Sequence, residues 1–431
     1  MNAPVLVPTR KRIGALALIF VCVLINYMDR ANIAVAGPAV REDLGLSMVQ
    51  MGLVFSAFGW TYSFLQIPGG ILVDVVRTRV LYGVILFLWS TATVVQGFIH
   101  SVVVLIGCRM SIGVFEAPSY PANNKMVTSW FPDRERATAI SIYTSGQFLG
   151  LAALSPLLFA LQNYLGWRGL FIVTGGVGIV WAVVMYVLYR DPGEHPHVNQ
   201  AELDYIEKGG GLVGKAAKGV ARRKFAWADL RAAFSYRRLW GVYLGQYCLG
   251  ALFQFFLTWF PTYLKEYRGL SIMSSGYWGS VPYLGAFVGV LLAGVSSDFL
   301  LKRGASMSTA RKLPMLCGML LMTTILAANY TTKTPLVILF MTIAFFGNGL
   351  ASIAWVFISS LAPVRLIGVV GGVFNFSGGL SGATIPAIIG WLARDGNFDH
   401  VFIFIAIMSL LGFCSYIFLV GKVERIVLPG E

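Results

Sequence analysis

The stretch LINYMDRANIAVA, residues 24–36, sets Asp29 beside Arg30 in an otherwise apolar run. From Ile13 to Gly37 no other residue is charged. A helix of that length crosses the hydrocarbon core of a bilayer, which takes about 20 apolar residues at about 1.5 Å each. Placing a charge at such depth costs about 2.5–3.5 kcal/mol, so each should face a cavity or a partner. Reading outward, the same kind of run recurs along the whole 431-residue chain, of which 57% is hydrophobic and only 12% charged. A soluble domain carries roughly a quarter charged residues. Candidate spans fall near 13–37, 50–73, 80–99, 102–126, 137–161, 169–189, 240–264, 275–298, 313–330, 335–360, 367–392 and 400–421. Their length argues for helices, because barrel strands are about 10 residues of alternating polarity. The expected fold is an all-α polytopic membrane protein with 12 transmembrane helices.

The net charge of +14 does not point to nucleic acid, because its distribution follows membrane topology. With a cytoplasmic N-terminus, six basic residues (Arg41, Arg168, Lys265, Arg268, Lys333, Arg394) fall outside and two (Arg30, Arg109) within spans; the remaining 25 of 33 are cytoplasmic. That is the positive-inside pattern, and twelve spans return the C-terminus to the cytoplasm. The first run is too long for a signal-peptide core and lacks an Ala-x-Ala site, so no cleavable signal is expected. The five cysteines (Cys22, Cys108, Cys248, Cys317, Cys414) all fall inside spans and read as small core residues rather than a disulfide framework.

One long polar segment, Arg190 to Arg238, divides the spans six and six. Within it AELDYIEKG reads as a short surface helix, and the Gly- and Lys-rich remainder as a cytoplasmic linker. The expected organisation is a cytoplasmic tail (1–12), an N-terminal six-helix bundle (13–190), the linker (191–238), a C-terminal six-helix bundle (239–421) and a second cytoplasmic tail (422–431). GGILVDVVRTR (Gly69–Arg79) and AGVSSDFLLKRG (Ala293–Gly304) each put an Asp (Asp74, Asp298) four residues after a Gly, ahead of basic residues. Their recurrence after the second and eighth spans favours two pseudo-symmetric halves over an incidental charge cluster.

Only four charges lie deep in spans: Asp29, Arg30, Arg109 and Glu116, all in the first half. Arg109 and Glu116 are seven apart and share a face of span four, about 10.5 Å apart along the axis. Tyr27 and Arg30 share a face of span one, and Asp29 is displaced from Arg30 by about 100°. One reading is a set of inert buried pairs that fix helix packing. Buried pairs stabilise poorly, however, and intramembrane charges mark transport paths. An arginine presents a planar fork to a carboxylate. A carboxyl group taken out of water is more easily kept neutral, which suits it to carry a proton. Two acids beside two arginines are what proton-coupled uptake of an organic anion needs. The histidines (His100, His195, His197, His400) all fall in loops and read as solvated.

The second half offers neutral polarity: Gln246 in span seven, Asn348, Ser352 and Trp355 in span ten, and Asn375 in span eleven. Spacing lets Ser352, Trp355 and Asn348 line one face. Amides and hydroxyls suit a polyol, and a Trp face suits its C–H side; interhelical hydrogen bonding is the competing explanation. Pro118 and Pro121 should bend span four beside Glu116. DRERA (133–137) reads as a charged loop and helix start, with an inter-helix latch as the alternative. TGGVGIVW (174–181) imitates a dinucleotide loop but lies inside span six without a preceding strand, so it reads as helix packing.

Gly70-x-x-x-Asp74 resembles the loop motif of the major facilitator superfamily, with Val75 and Arg77 where that motif has a basic residue and a glycine. NYMDRANIAVA, GWTYSFLQIPGGILVD, GCRMSIGVFEAPSYPANNKMVTSWFPDRERA, YTSGQFLG and FNFSGGLSG resemble the anion:cation symporter family within it, nearest the bacterial proton symporters of D-galactonate, glucarate and hexuronates. The resemblance implies an inner-membrane secondary transporter working by alternating access, a monomer that needs no cofactor and is not an enzyme. It implies proton carriage by Asp29 and Glu116, Arg109 as partner of Glu116, and the substrate carboxylate on Arg30. Tyr27, Tyr62, Gln147, Gln246, Ser352, Trp355 and Asn375 are then substrate ligands. Gln254 departs from the aromatic of the galactonate and glucarate pattern. Protons, a sugar-acid anion and membrane lipids are the implied partners. Hexuronate or glucarate as substrate, and proton-driven export or anion exchange, stay open. A membrane-embedded enzyme or sensor lacks an intramembrane His or an acid pair in the second half.

Overall fold

The computed structural model describes residues 7–211, 213, 227–363 and 366–426. The Gly- and Lys-rich part of the expected linker, 214–226, lies outside the described residues, as do the outer parts of both tails. Among the described residues every regular element is helical. Spans one to three are α1 (Lys11–Asp43), α2 (Met48–Val75) and α3 (Thr78–Gln96). A capping box starts α2: Ser47 Oγ accepts from the Gln50 N–H, and Gln50 Oε1 accepts from the Ser47 N–H. Span four is α4 (Val102–Glu116) followed by α5 (Ser119–Trp130), broken where Pro118 supplies no N–H to the ladder. Spans five and six form one continuous element, α6 (Asp133–Leu188), which turns at Gly166. With φ 67° and ψ 178°, that residue adopts a backbone open essentially to glycine alone.

In the linker lie α7 (Gln200–Lys208) and α8 (Trp227–Phe234), the latter a helix where continuous linker is expected. Span seven is α9 (Arg237–Gln254), a π segment (Phe255–Trp259), α10 (Phe260–Thr262) and a second π segment (Tyr263–Tyr267). The remaining spans are α11 (Ile272–Lys302), α12 (Met307–Met322) with a 3-10 turn to Tyr330, α13 (Thr334–Ala351) with α14 (Ala354–Leu361), α15 (Ile367–Leu392), and α16 (Asp399–Cys414) extended by a π segment to Leu419. Among the described residues nine of these helices, α6 counted once, are long and apolar enough to cross a membrane, and the helical segments fall into the twelve spans expected. All five cysteines are free thiols; Cys22, Cys108 and Cys248 are buried, but Cys317 and Cys414 stand exposed on the flanks of α12 and α16 instead of in the core.

Within the first half, α1 and α3 pack on α6 and α2 on α4; within the second, α11 packs on α13, and α15 and α16 on α9. Across the halves α2 meets α15 and α6 meets α11, the pairing a two-fold relation between six-helix halves requires. The outer parts of these seams are tight because glycine lets backbones touch. A Cβ on Gly59 would lie 2.4 Å from Gly382, and one on Gly52 2.8 Å from the Pro386 carbonyl. Gly276 lies likewise against Pro156 and Phe159. At the rim Arg41 Nη2 pairs with Glu266 at 2.5 Å, and Trp259 Nε1 donates to Pro386 O at 2.9 Å. Nearer the cytoplasm on the same helices, Gly70, Gly294, Gly368 and Gly372 have open space where a side chain would stand. The described close approaches between the halves lie toward the outer end.

The cytoplasmic face of the first half is clamped by α7. Arg10, which precedes α1, supplies no capping side chain. The buried carboxylate of Glu202 does so instead, accepting from the Lys11 N–H (2.9 Å), the Arg12 N–H (3.2 Å), Arg12 Nη1 (3.3 Å) and the Thr9 hydroxyl. A negative group there meets both the free N–H groups and the positive end of the helix dipole. Glu135 of the DRERA stretch accepts from Arg12 Nε (3.0 Å) and from the Tyr205 hydroxyl, so this stretch does latch helices together.

Candidate functional site

Arg30 points from α1 toward α4, where its Nε donates to Glu116 Oε2 at 2.9 Å. Glu116 has no exposed side-chain surface and Arg30 has 9%. Three rings surround the guanidinium, whose carbon lies 4.6 Å from the Tyr62 centroid, 4.8 Å from Phe58 and 5.1 Å from Tyr27. Such a cage favours a planar, weakly hydrated cation. Neither Arg30 Nη2 nor Glu116 Oε1 has a hydrogen-bond partner among the described residues. The bridge is thus single-stranded, and one edge of the fork is left for a second acceptor.

Arg109 stands over the same Phe58 ring, at 5.2 Å, with its Nε and Nη1 buried and unpartnered among the described residues. The glutamate expected to pair with it is bonded to Arg30 here. Asp29 is fully buried and directed away from Arg30. Its Oδ2 accepts from Trp89 Nε1 of α3 at 3.1 Å and its Oδ1 from Asn32 Nδ2 at 3.5 Å; Asn32 also donates to Thr174 Oγ1 of α6 at 3.0 Å. Asp29 and Glu116 therefore have different partners, Asp29 on Trp89 and Asn32 and Glu116 on Arg30.

Beside the Arg30–Glu116 pair stand neutral polar groups of the first half, and the polar residues expected from the second half make contacts of their own. Tyr27 donates to Gln147 Oε1 at 2.9 Å, and Tyr120 reaches the Tyr27 hydroxyl at 3.5 Å. From the second half, Gln246 lies against Gly378 on α15, and Asn375 donates to Gln66 of α2 across the interface. Trp355 is 53% exposed and packs edge-on against Phe374 at 4.8 Å. Ser352 sits half-buried at the break between α13 and α14. That break separates it from Asn348, which turns inward and donates to Leu249 O at 2.9 Å, an interhelical bond. Phe148 of the first half meets Phe253 (6.1 Å) and Phe345 (5.9 Å) of the second beside Gln147. Phe58 and Tyr120 also touch this cluster and Gln66 meets Asn375, though none of the three stands out in the sequence. A signal for Gln66 is its spacing, four residues after Tyr62 on one face of α2.

Residues 19–386 match the model of the Major Facilitator Superfamily. The chain is 49% identical to a D-galactonate transporter of Escherichia coli O6:H1, over 97% of this chain and 98% of that one. It is 40% identical to a probable galactarate/D-glucarate transporter of Bacillus subtilis, over 96% of this chain and 93% of that one. Among solved structures it resembles a bacterial homolog of the human lysosomal transporter Spinster in an inward-facing, unoccupied conformation. That likeness has a TM-score of 0.72 and 19% identity, over 96% of this chain and 95% of the other. With these relatives and nine described helices long and apolar enough to cross a membrane, it is a multi-pass protein of the bacterial inner membrane. The chain belongs to the Major Facilitator Superfamily.

Proposed function

We propose that the chain is a secondary active transporter that takes up a sugar-acid anion, D-galactonate or a close relative, together with protons. The observation that carries this reading is the buried Arg30–Glu116 pair, caged by aromatic rings and flanked by the neutral Tyr27–Gln147 pair, in a molecule whose two halves meet through Asn375 and Gln66. In its ionised form Glu116 occupies Arg30. A proton on Glu116 removes the charge that competes for the guanidinium, and the carboxylate of the substrate takes its place in a charge-assisted bond. Hydroxyls of the sugar acid exchange bonds with Gln147, Gln246, Ser352 and Asn375, and Trp355 and Tyr62 cover its C–H face. Asp29, bonded to Trp89 and Asn32, is a second proton site. Arg109 keeps the region positive while Glu116 is neutral. The inward opening releases anion and proton, after which Glu116 returns to Arg30. Each net charge that crosses 100 mV adds about 2.3 kcal/mol of driving force. The names of the relatives support the substrate class.

Uptake of labelled galactonate, glucarate and galacturonate into proteoliposomes, inside alkaline, tests the reading. One anion should accumulate under the gradient, and Glu116→Gln should abolish that accumulation while keeping counterflow exchange. Uptake indifferent to both gradient and substitution would sink the proposal.

A further inference from the structure

At the cytoplasmic edge of the second half, the start of α9 and the chain leaving span twelve enclose a groove of about 520 Å³. Arg237, Arg238, Lys422 and Arg425 line it together with Tyr236 and Phe418. No Asp or Glu side chain lines it among the described residues. Backbone carbonyls hold the guanidinium groups without neutralising them. Arg237 Nη2 donates to Phe418 O at 2.6 Å, Arg238 Nη1 to Glu424 O at 3.5 Å, and Arg425 Nη2 to Ser359 O at 2.8 Å. The first N–H groups of α9 add the positive end of an 18-residue helix. Beside these cations lies an apolar patch. Phe418 is 66% and Trp240 51% exposed, and Trp240 packs on Phe234 at 5.4 Å while its Nε1 donates to Phe234 O at 2.8 Å.

We propose that this groove binds the phosphate headgroup of an anionic phospholipid of the cytoplasmic leaflet, with the acyl chains against Phe418 and Trp240. Four cations in a groove that no described carboxylate lines match a phosphodiester, and basic pockets between spans on this side of the membrane suit such headgroups. Exposed aromatic rings at the same depth match the headgroup–acyl boundary. A soluble phosphate would use only the cations, so the pairing of the two surfaces selects a lipid. The bound headgroup ties Arg237 and Arg238 of span seven to Lys422 and Arg425 beyond span twelve. Arg425, and the Ile426 N–H bonded to Leu361 O at 2.9 Å, carry that tie to the end of α14.

Native mass spectrometry and thermal melting of the full chain in detergent, with added phosphatidylglycerol, phosphatidylcholine or inorganic phosphate, test the site. Phosphatidylglycerol should be retained and should raise Tm, and the other two should not. The double substitution Arg237→Gln, Lys422→Gln should weaken its binding by about fivefold for each cation removed. Lys302→Gln with Arg303→Gln, at a different cytoplasmic helix end, should leave binding unchanged. The charge-retaining Arg237→Lys should keep the lipid preference, which separates loss of the site from loss of the fold. Equal retention of phosphatidylcholine, a Tm rise reproduced by inorganic phosphate alone, or equal loss in the Lys302 and Arg303 control would overturn the assignment.

Discussion

Arg30 is held by shape as much as by charge. Its fork is bonded to Glu116 and enclosed by Tyr27, Phe58 and Tyr62, and a lysine would keep the charge while losing the planar face and the spare nitrogen. Arg30→Lys should therefore raise the KM for the anion roughly tenfold or more, which corresponds to at least about 1.4 kcal/mol of lost binding. An unchanged KM would show that a point charge suffices. That Asp29, Arg30, Arg109 and Glu116 lie deep in spans was legible in the sequence, and all four are buried. Their pairing was not legible there. Spacing along α4 relates Arg109 to Glu116, but the bond that forms reaches Glu116 from Arg30, 86 residues away, and only packing of α1 on the fourth span decides that. For Asn348 the sequence leaves a lining role and an interhelical bond both open, and its bond to Leu249 O is the second of these.

At the scale of elements, α7 is the informative case. Its helix was readable from AELDYIEKG, but as a solvated surface piece, whereas Glu202 and Ile206 are buried. Burial alone would push the Glu202 carboxyl up; hydrogen bonds from Thr9, Lys11 and Arg12 outweigh this and hold it below the ordinary glutamate value. Glu135 is held low in the same way by Tyr205 and Arg12. A carboxylate depressed in the folded state gives stability that is complete above its unfolded pKa, about 4.3, and is lost as pH falls through the lower, folded value. Docking of α7 should thus be constant between pH 7 and pH 8 and fail below about pH 4, as read by a fluorophore on a cysteine at Lys208. Glu202→Gln should loosen it at neutral pH by about 2 kcal/mol, the worth of hydrogen bonds to a charged acceptor. A label as immobile in that variant as in the parent would refute the clamp. Breaks in the long helices were legible where a proline causes them, as at Pro118, and not where none does, as at Ser352. The Gly166 turn inside α6 separates two spans that hydropathy alone already distinguishes.

For the whole molecule, the seams decide which side is open. The Arg41–Glu266 pair is partly exposed, 30% and 21%, so it contributes about 1 kcal/mol or less and biases the closed outer end by no more than about fivefold. The contact of Gly59 on Gly382 leaves no room for a side chain, and a forced overlap costs about 1–3 kcal/mol. Gly59→Val should therefore open the outer side much more than Arg41→Gln does. A cysteine at Ser56, buried in that seam, should be labelled from outside quickly in the first variant and only slightly faster than parent in the second. The reverse order would assign the closure to the ion pair. The Asp74 and Asp298 echo made a two-fold arrangement readable, but which helices meet and which part is left a matter of geometry alone. The Glu202 clamp also has a consequence in time. The cap on the first helix is encoded 191 residues after the Lys11 N–H that it satisfies. During synthesis all six spans of the first half must leave the ribosome before that end can be fastened, so completion of the half and locking of its first helix become a single event.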